Sequence, residues 1–241
     1  LNVRSTLATY ANLHDDLRKR FAQTPEAKAA HLKAGDFSYN TGSLRCPTCD
    51  GTGQISLDVQ FLPDVDIPCP TCHGTRYAPA ADRIRLHGHT LPQLMAMDVE
   101  TALGALSAAK PLRQRLETLR DLGLGYLTLG EATPNLSGGE AQRLKLAEEM
   151  GRPQGDALFV FDEPTIGLHP LDVRTLLNVF QALLDRGATL VVIEHDLDLI
   201  RNADYILDLG PGGGEQGGRL VAAGTPEQIR ANPASLTGRY L

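Results

Sequence analysis

Tryptophan is absent from the 241 residues, aromatic residues supply only 5%, and there are three methionines. The five lysines, Lys19, Lys28, Lys33, Lys110 and Lys145, never follow a glycine. A phosphate loop of the Gly-Lys-Ser/Thr type is therefore excluded from this stretch of sequence. No apolar run approaches the ~18 residues of a membrane span. The longest, residues 158–161 and 190–193, are strand-sized. A charged-then-apolar leader is also missing, so nothing points to secretion, and the expected location is cytoplasmic. In that setting the four cysteines are not expected to be disulfides. The first residue is Leu, which leads us to expect a piece of something longer.

What is present is enough to fold. Hydrophobic residues make up 42% and charged residues 22%, close to the globular average, and the length suits one or two domains. The net charge of −6 argues against a nucleic-acid binder basic over its whole surface, but it is unevenly spread. The first 45 residues hold seven basic and four acidic groups, whereas residues 151–241 hold seven and twelve. A polyanionic partner should meet the front part.

Residues 1–34 read as helical, with Tyr10, Leu13, Leu17, Arg20 and Phe21 on one stripe and a restart at Thr24-Pro25-Glu26. Residues 35–78 are punctuated by Gly, Pro, Asp and Cys around two alternating runs, 54–61 and 65–68. Residues 79–133 return to helix with breaks at Leu91-Pro92 and Lys110-Pro111, and a helical run follows Ser137-Gly138-Gly139 to Met150. After Gly155 the pattern becomes buried strand (156–161), amphipathic helix (171–186), buried strand (188–194), short helix (197–202) and strand (205–209). Such alternation predicts α/β with a parallel core. A short strand (219–223) and a closing helix (226–230) complete it. Expected boundaries are a helical segment 1–45, a cysteine hairpin 46–78, a helical region 79–150 and an α/β part 151–241.

Cys46-Pro47-Thr48-Cys49 recurs as Cys69-Pro70-Thr71-Cys72. Each pair aims two thiolates at one point, and two pairs joined by a hairpin-length insert complete a tetrahedral four-sulfur site. Zn²⁺ suits it best, in a closed structural role. His73 is adjacent, but four sulfurs fill the shell.

Leu136-Ser137-Gly138-Gly139-Glu140-Ala141-Gln142-Arg143 opens a helix whose glycines bare N–H groups where phosphate binds well. Ser137 and Glu140 also spell a capping box. Leu158-Phe159-Val160-Phe161-Asp162-Glu163-Pro164-Thr165 is an apolar strand ending in two carboxylates. At a carboxyl edge, Asp162 can hold Mg²⁺ through water and Glu163 can orient or deprotonate an attacking water. One strand later, His195 in Glu194-His195-Asp196 reaches the same edge.

In this order the motifs resemble ABC-type ATPases: signature 136–143, Walker B 158–165, D-loop 167–172 with Asp172, and switch histidine His195. The four-Cys insert narrows the resemblance to the UvrA family, the damage-recognising subunits of bacterial excision repair. Arg4-Ser5-Thr6-Leu7-Ala8-Thr9-Tyr10, Phe37-Ser38-Tyr39-Asn40, Phe61-Leu62-Pro63-Asp64 and Asp208-Leu209-Gly210-Pro211 are similar to the carboxy-terminal half of that family. The resemblance implies a partial ABC-type ATPase core, lacking its Walker A segment, with a helical signature region and a zinc hairpin. It implies ATP with Mg²⁺, with Asp162, Glu163 and His195 serving one nucleotide. Ser137, Gly138, Gly139, Glu140 and Gln142 would cap another, held by the amino-terminal half of the same protein. It further implies double-stranded DNA, a homodimer and a UvrB-like subunit as partners, no membrane, and an isolated chain without activity. A UvrA paralogue for resistance to DNA-binding drugs would share every motif. A DnaJ-type zinc chaperone shares the C-x-x-C-x-G-x-G of residues 46–53 but has no place for the signature or for Asp162-Glu163.

Overall fold

In the computed structural model, residues 4–57, 65–150, 156–168, 170–210, 212 and 217–241 are described, the side chains of 170–172 excepted. The chain divides into two units, Leu1–Arg152 and Pro153–Leu241.

In the first unit the front helical region is three short helices, α1 (Leu7–Tyr10), α2 (Leu13–Phe21) and α3 (Pro25–Ala29). Asn12 at φ 56° breaks the first from the second, because a left-handed residue cannot continue a right-handed helix. Thr24 caps α3, with Pro25 in its first turn. Leu7, Leu13, Leu17 and Phe21 are wholly buried. Each such side chain contributes roughly 1.5–3 kcal/mol by leaving water. The α1 segment is tied down by Leu7 N–H to Glu131 C=O and Ala8 N–H to Leu129 C=O, both 2.9 Å.

Strands β1 (Gln54–Leu57) and β2 (Val65–Pro68) pair antiparallel, Gln54 opposite Pro68 and Leu57 opposite Val65. An Arg45–Tyr77 bridge closes the base of this hairpin. There Tyr77 hydroxyl donates to Phe37 C=O at 3.0 Å. Having only one hydrogen, it accepts from His14 Nε2–H at 2.8 Å. Burial drives the His14 pKa down from 6.5 to about 3, with Arg18 adding to the effect, so the ring is neutral.

Helices α4 (Leu91–Ala96), α5 (Val99–Ala105), α6 (Lys110–Leu119) and α7 (Gly138–Glu149) follow. Pro92 and Pro111 sit in first turns. They therefore mark where helices begin, having no N–H to lose there. Leu94, Leu106, Leu112, Leu116 and Leu119 are fully buried between these helices.

In the second unit β3 (Leu158–Asp162) and β4 (Thr189–Ile193) pair parallel, connected through α8 (Pro170–Leu184). The short helix α9 (Leu197–Arg201) leads to β5 (Ile206–Gly210), and β6 (Arg219–Gly224) and α10 (Pro226–Ala231) close the chain. Two expectations are corrected here. The strand at 205–209 does not join the parallel core; β5 pairs antiparallel with β6 in a sheet of its own. A short connection is closed at lower entropic cost than a long one. The two strands predicted to be buried are half bare: Leu158 is 63% and Val160 62% exposed, and Val191 and Ile193 are also exposed. Among the described residues each sheet has two strands, and one face is packed, Phe161 lying on Phe180 at 4.8 Å. Among the described residues no helix is long and apolar enough to cross a membrane.

Candidate functional site

The four cysteines converge. Cys46, Cys49, Cys69 and Cys72 are all buried, and their Sγ atoms lie within 4.8 Å of one another. Cys46–Cys69 is 3.9 Å and Cys49–Cys72 is 3.6 Å. Zn–S bonds of ≈ 2.3 Å place the corners of a tetrahedron about 3.8 Å apart, so the spacing fits Zn²⁺. The doubled motif folds as a doubled structure. Asp50 (φ 51°) and Gly51 (φ 78°) turn the chain after the first pair, and His73 (φ 50°) and Gly74 (φ 89°) after the second. Thr52 and Thr75 N–H groups each return 3.0 Å to the Cys49 and Cys72 carbonyls. Thiolate is favoured at Cys69: burial opposes it, but the Cys72 and Thr71 amides bring the pKa down to about 7. His73 lies outside the four-ligand group.

In the same unit, Ser137 Oγ accepts the Glu140 N–H at 3.3 Å, and Glu140 Oε2 accepts the Ser137 N–H at 2.7 Å. The capping box is therefore formed at the start of α7. The other oxygen, Oε1, takes the Tyr126 hydroxyl. Burial tends to raise the Glu140 pKa, yet the Tyr126 and Ser137 bonds leave it lowered. Both oxygens are thus engaged in holding the helix end. Ser137 and Gly138 are exposed, Gly139 is buried, and Gln142 is half-buried. A Cβ added at Gly138 would meet nothing within 4 Å, so a ligand can approach that backbone closely.

In the second unit β3 delivers Asp162 and Glu163 to the carboxyl edge, and β4 delivers Glu194 and His195. Asp162 is exposed. Glu163 sits at φ 47°, and its N–H donates to Ile193 C=O at 2.9 Å. That turn throws the side chain toward β4, where Oε1 lies 3.4 Å from His195 Nε2. The His195 side chain is 83% exposed and so open to a ligand. The α8 backbone includes Asp172, whose side chain lies outside the described residues, as do residues 213–216.

No model of a known protein family matches the chain. Curated relatives do. It is 48% identical over 239 residues to UvrABC system protein A of Aquifex aeolicus, covering 99% of this chain and 26% of that protein. It is 49% identical to UvrABC system protein A of Bacillus subtilis, covering 99% and 25%. The crystal structure of UvrA2 from Deinococcus radiodurans superposes with a TM-score of 0.92 at 44% identity, covering 100% of this chain and 30% of that one. The likeness to these UvrA proteins extends over essentially the whole chain. It spans about a quarter of the length of the curated relatives it matches.

The likeness to the UvrA2 structure covers the whole chain, and the fold has the expected mix of helix and sheet with a four-cysteine module. Two residues that sequence reasoning passed over take part in its geometry. Tyr126 clamps Glu140, and Glu194 bonds to Thr165, 29 residues away. A carboxylate beside His195 was visible at the strand end. Its partner was not, because only strand pairing brings Thr165 near.

Proposed function

We propose that this chain is the carboxy-terminal part of a UvrA-like ABC ATPase that binds DNA and recognises damage in nucleotide excision repair. The observation that carries the reading is the pairing of Glu163 with His195 at 3.4 Å on one parallel-strand edge, in a chain 48% identical to a UvrABC system protein A. In this reading the chain consists of the segments 1–45, 46–78, 79–150 and 151–241. It works in the cytoplasm as part of a homodimer, with an amino-terminal half of the same protein and a UvrB-like subunit.

Bound Mg²⁺ supplies charge neutralisation on the phosphates, and Asp162 is the residue placed to hold it through water. Glu163 orients the attacking water and accepts its proton. His195, exposed beside it, donates to the terminal phosphate. On the other unit, Ser137, Gly138 and Gly139 present hydroxyl and backbone N–H donors to the phosphates of a second nucleotide. Glu140 keeps that helix end in shape, and Gln142 and Asp172 lie on the nucleotide-facing motifs. The cysteine module binds structural Zn²⁺ and, with the basic front segment, lies toward double-stranded DNA, contacting phosphates rather than bases. The bare faces of β3, β4 and β5 support a reading in which another part of the longer protein packs over them.

The test uses the longer natural protein that supplies a Walker A segment. It should hydrolyse ATP and bind lesion-bearing duplex more tightly than intact duplex, and Glu163→Gln should bind ATP without turnover. Equal affinity for both duplexes, with tighter binding only when a drug is intercalated, would move the reading to a drug-resistance role.

A further inference from the structure

Glu194 has no part in the chemistry above, yet its carboxylate accepts four hydrogen bonds. Oε1 takes the Thr165 N–H at 2.8 Å and the Thr165 hydroxyl at 2.5 Å. Oε2 takes the His195 N–H at 2.8 Å and the Asp196 N–H at 3.1 Å. Thr165 lies two residues beyond Glu163, and His195 follows Glu194 directly. One half-buried side chain therefore grips the loop carrying the carboxylate and the loop carrying the imidazole.

Such a grip is needed on the Glu163 side. A left-handed residue other than glycine persists only where its surroundings hold it, and Glu163 is at φ 47°. Ladder pairing accounts for its N–H. Beyond it the chain leaves the sheet, and the two Thr165 bonds to Glu194 are what return it to β4. On the other side, two successive amides after β4 point at one oxygen, a nest that fixes where the His195 side chain departs.

We propose that Glu194 is a positioning residue, which sets the distance between Glu163 and His195 and passes a shift of either loop to the other. This rests on the ATPase reading of the same edge. The demand is for a full carboxylate. In Gln the amide would turn N–H donors against N–H donors on one side or the other. In Asp the shorter stem cannot span both loops. Thr165→Val removes one of the four bonds, and Thr165→Ser keeps it.

Two measurements test the proposal. In the 241-residue chain, Glu194→Gln should speed amide exchange at Thr165, His195 and Asp196 by about tenfold or more while the β3–β4 ladder amides stay protected. In the longer ATP-hydrolysing protein, Glu194→Gln should lower kcat by about tenfold or more with KM within about twofold. Thr165→Val should fall between, Thr165→Ser should restore the rate, and Glu194→Gln should add nothing to Glu163→Gln. Faster exchange with an unchanged kcat would leave Glu194 a purely structural anchor and overturn the proposal. If Glu194→Gln fails to fold, Thr165→Val against Thr165→Ser carries the decision: equal rates overturn it. If Glu163→Gln turns over like the wild type, the ATPase reading of the edge fails and this inference with it. If Glu163→Gln is inactive but Glu194→Gln is not, only this inference fails.

Discussion

Glu163 Oε1 and His195 Nε2 stand 3.4 Å apart at the ends of two neighbouring parallel strands. Neither residue is near the other in sequence. Their proximity follows from the register that sets Asp162 opposite Ile193, with Glu163 and His195 leaving the sheet just beyond it. In the proposed ATPase reading the exposed side of this pair faces the phosphate, and that geometry determines how activity should divide between variants.

Division of labour is the first expected outcome. In the longer protein, Glu163→Gln should block hydrolysis at the site built on β3 and β4 while sparing ATP binding there. Gly138→Asp should instead impair the nucleotide that meets α7, because a carboxylate would face phosphate and cover the helix-end N–H groups. Single-turnover hydrolysis, combined with a Walker A lysine substitution in either half, separates the two. Both variants proving redundant with the same lysine substitution would place them at one site.

The isolated chain should not hydrolyse ATP above background. None of its five lysines follows a glycine, so it carries no Gly-Lys phosphate loop. Phosphate-release assays on the purified chain check this, and turnover abolished by Glu163→Gln would contradict it.

Elemental analysis should find one zinc per chain, lost in Cys69→Ser. Site formation is worth on the order of 10 kcal/mol in small zinc peptides. The hairpin around β1 and β2 should therefore loosen, while circular dichroism of the second unit persists.

Gly51→Ala tests the knuckle without touching a ligand. At φ 78°, its new Cβ would lie 1.7 Å from the Tyr39 carbonyl oxygen, so the backbone must move. A loss of about 2 kcal/mol or more in urea unfolding of the first unit is expected, together with weaker zinc retention. Gly74→Ala is the comparison: its φ is 89° but nothing lies within 4 Å of the added Cβ, so its cost should be smaller.

Acid sensitivity should trace in part to His14. Its folded pKa, about 3, lies below the free value of 6.5, so the unfolded state takes up a proton first as pH falls. Stability is fully present above about pH 6.5 and declines toward pH 3, by at most about 1.4 kcal/mol per pH unit from this group. His14→Gln should lower stability at pH 7, through the altered bond to Tyr77, and flatten the decline between pH 6.5 and 4. Denaturant titrations across that range measure both, and an unchanged slope would contradict the assignment.

Local grammar was legible without coordinates wherever the deciding partner is a near neighbour in the chain. The Ser137–Glu140 capping box spans one helical turn, Thr24-Pro25 starts its own helix, and the cysteine pairs repeat with the same turn chemistry. Apolar runs bounded by polar residues also located β3 and β4 correctly. Tertiary structure decided what depends on contacts far apart in sequence. Hydrophobicity implied burial of Leu158 and Val160, but burial needs a covering layer, and a two-stranded sheet leaves one face in water. Alternation implied a parallel core, yet β5 pairs antiparallel with β6. The bonds from Glu194 to Thr165 and from Tyr126 to Glu140 exist only because pairing and packing bring those side chains within reach, a condition that no local pattern encodes.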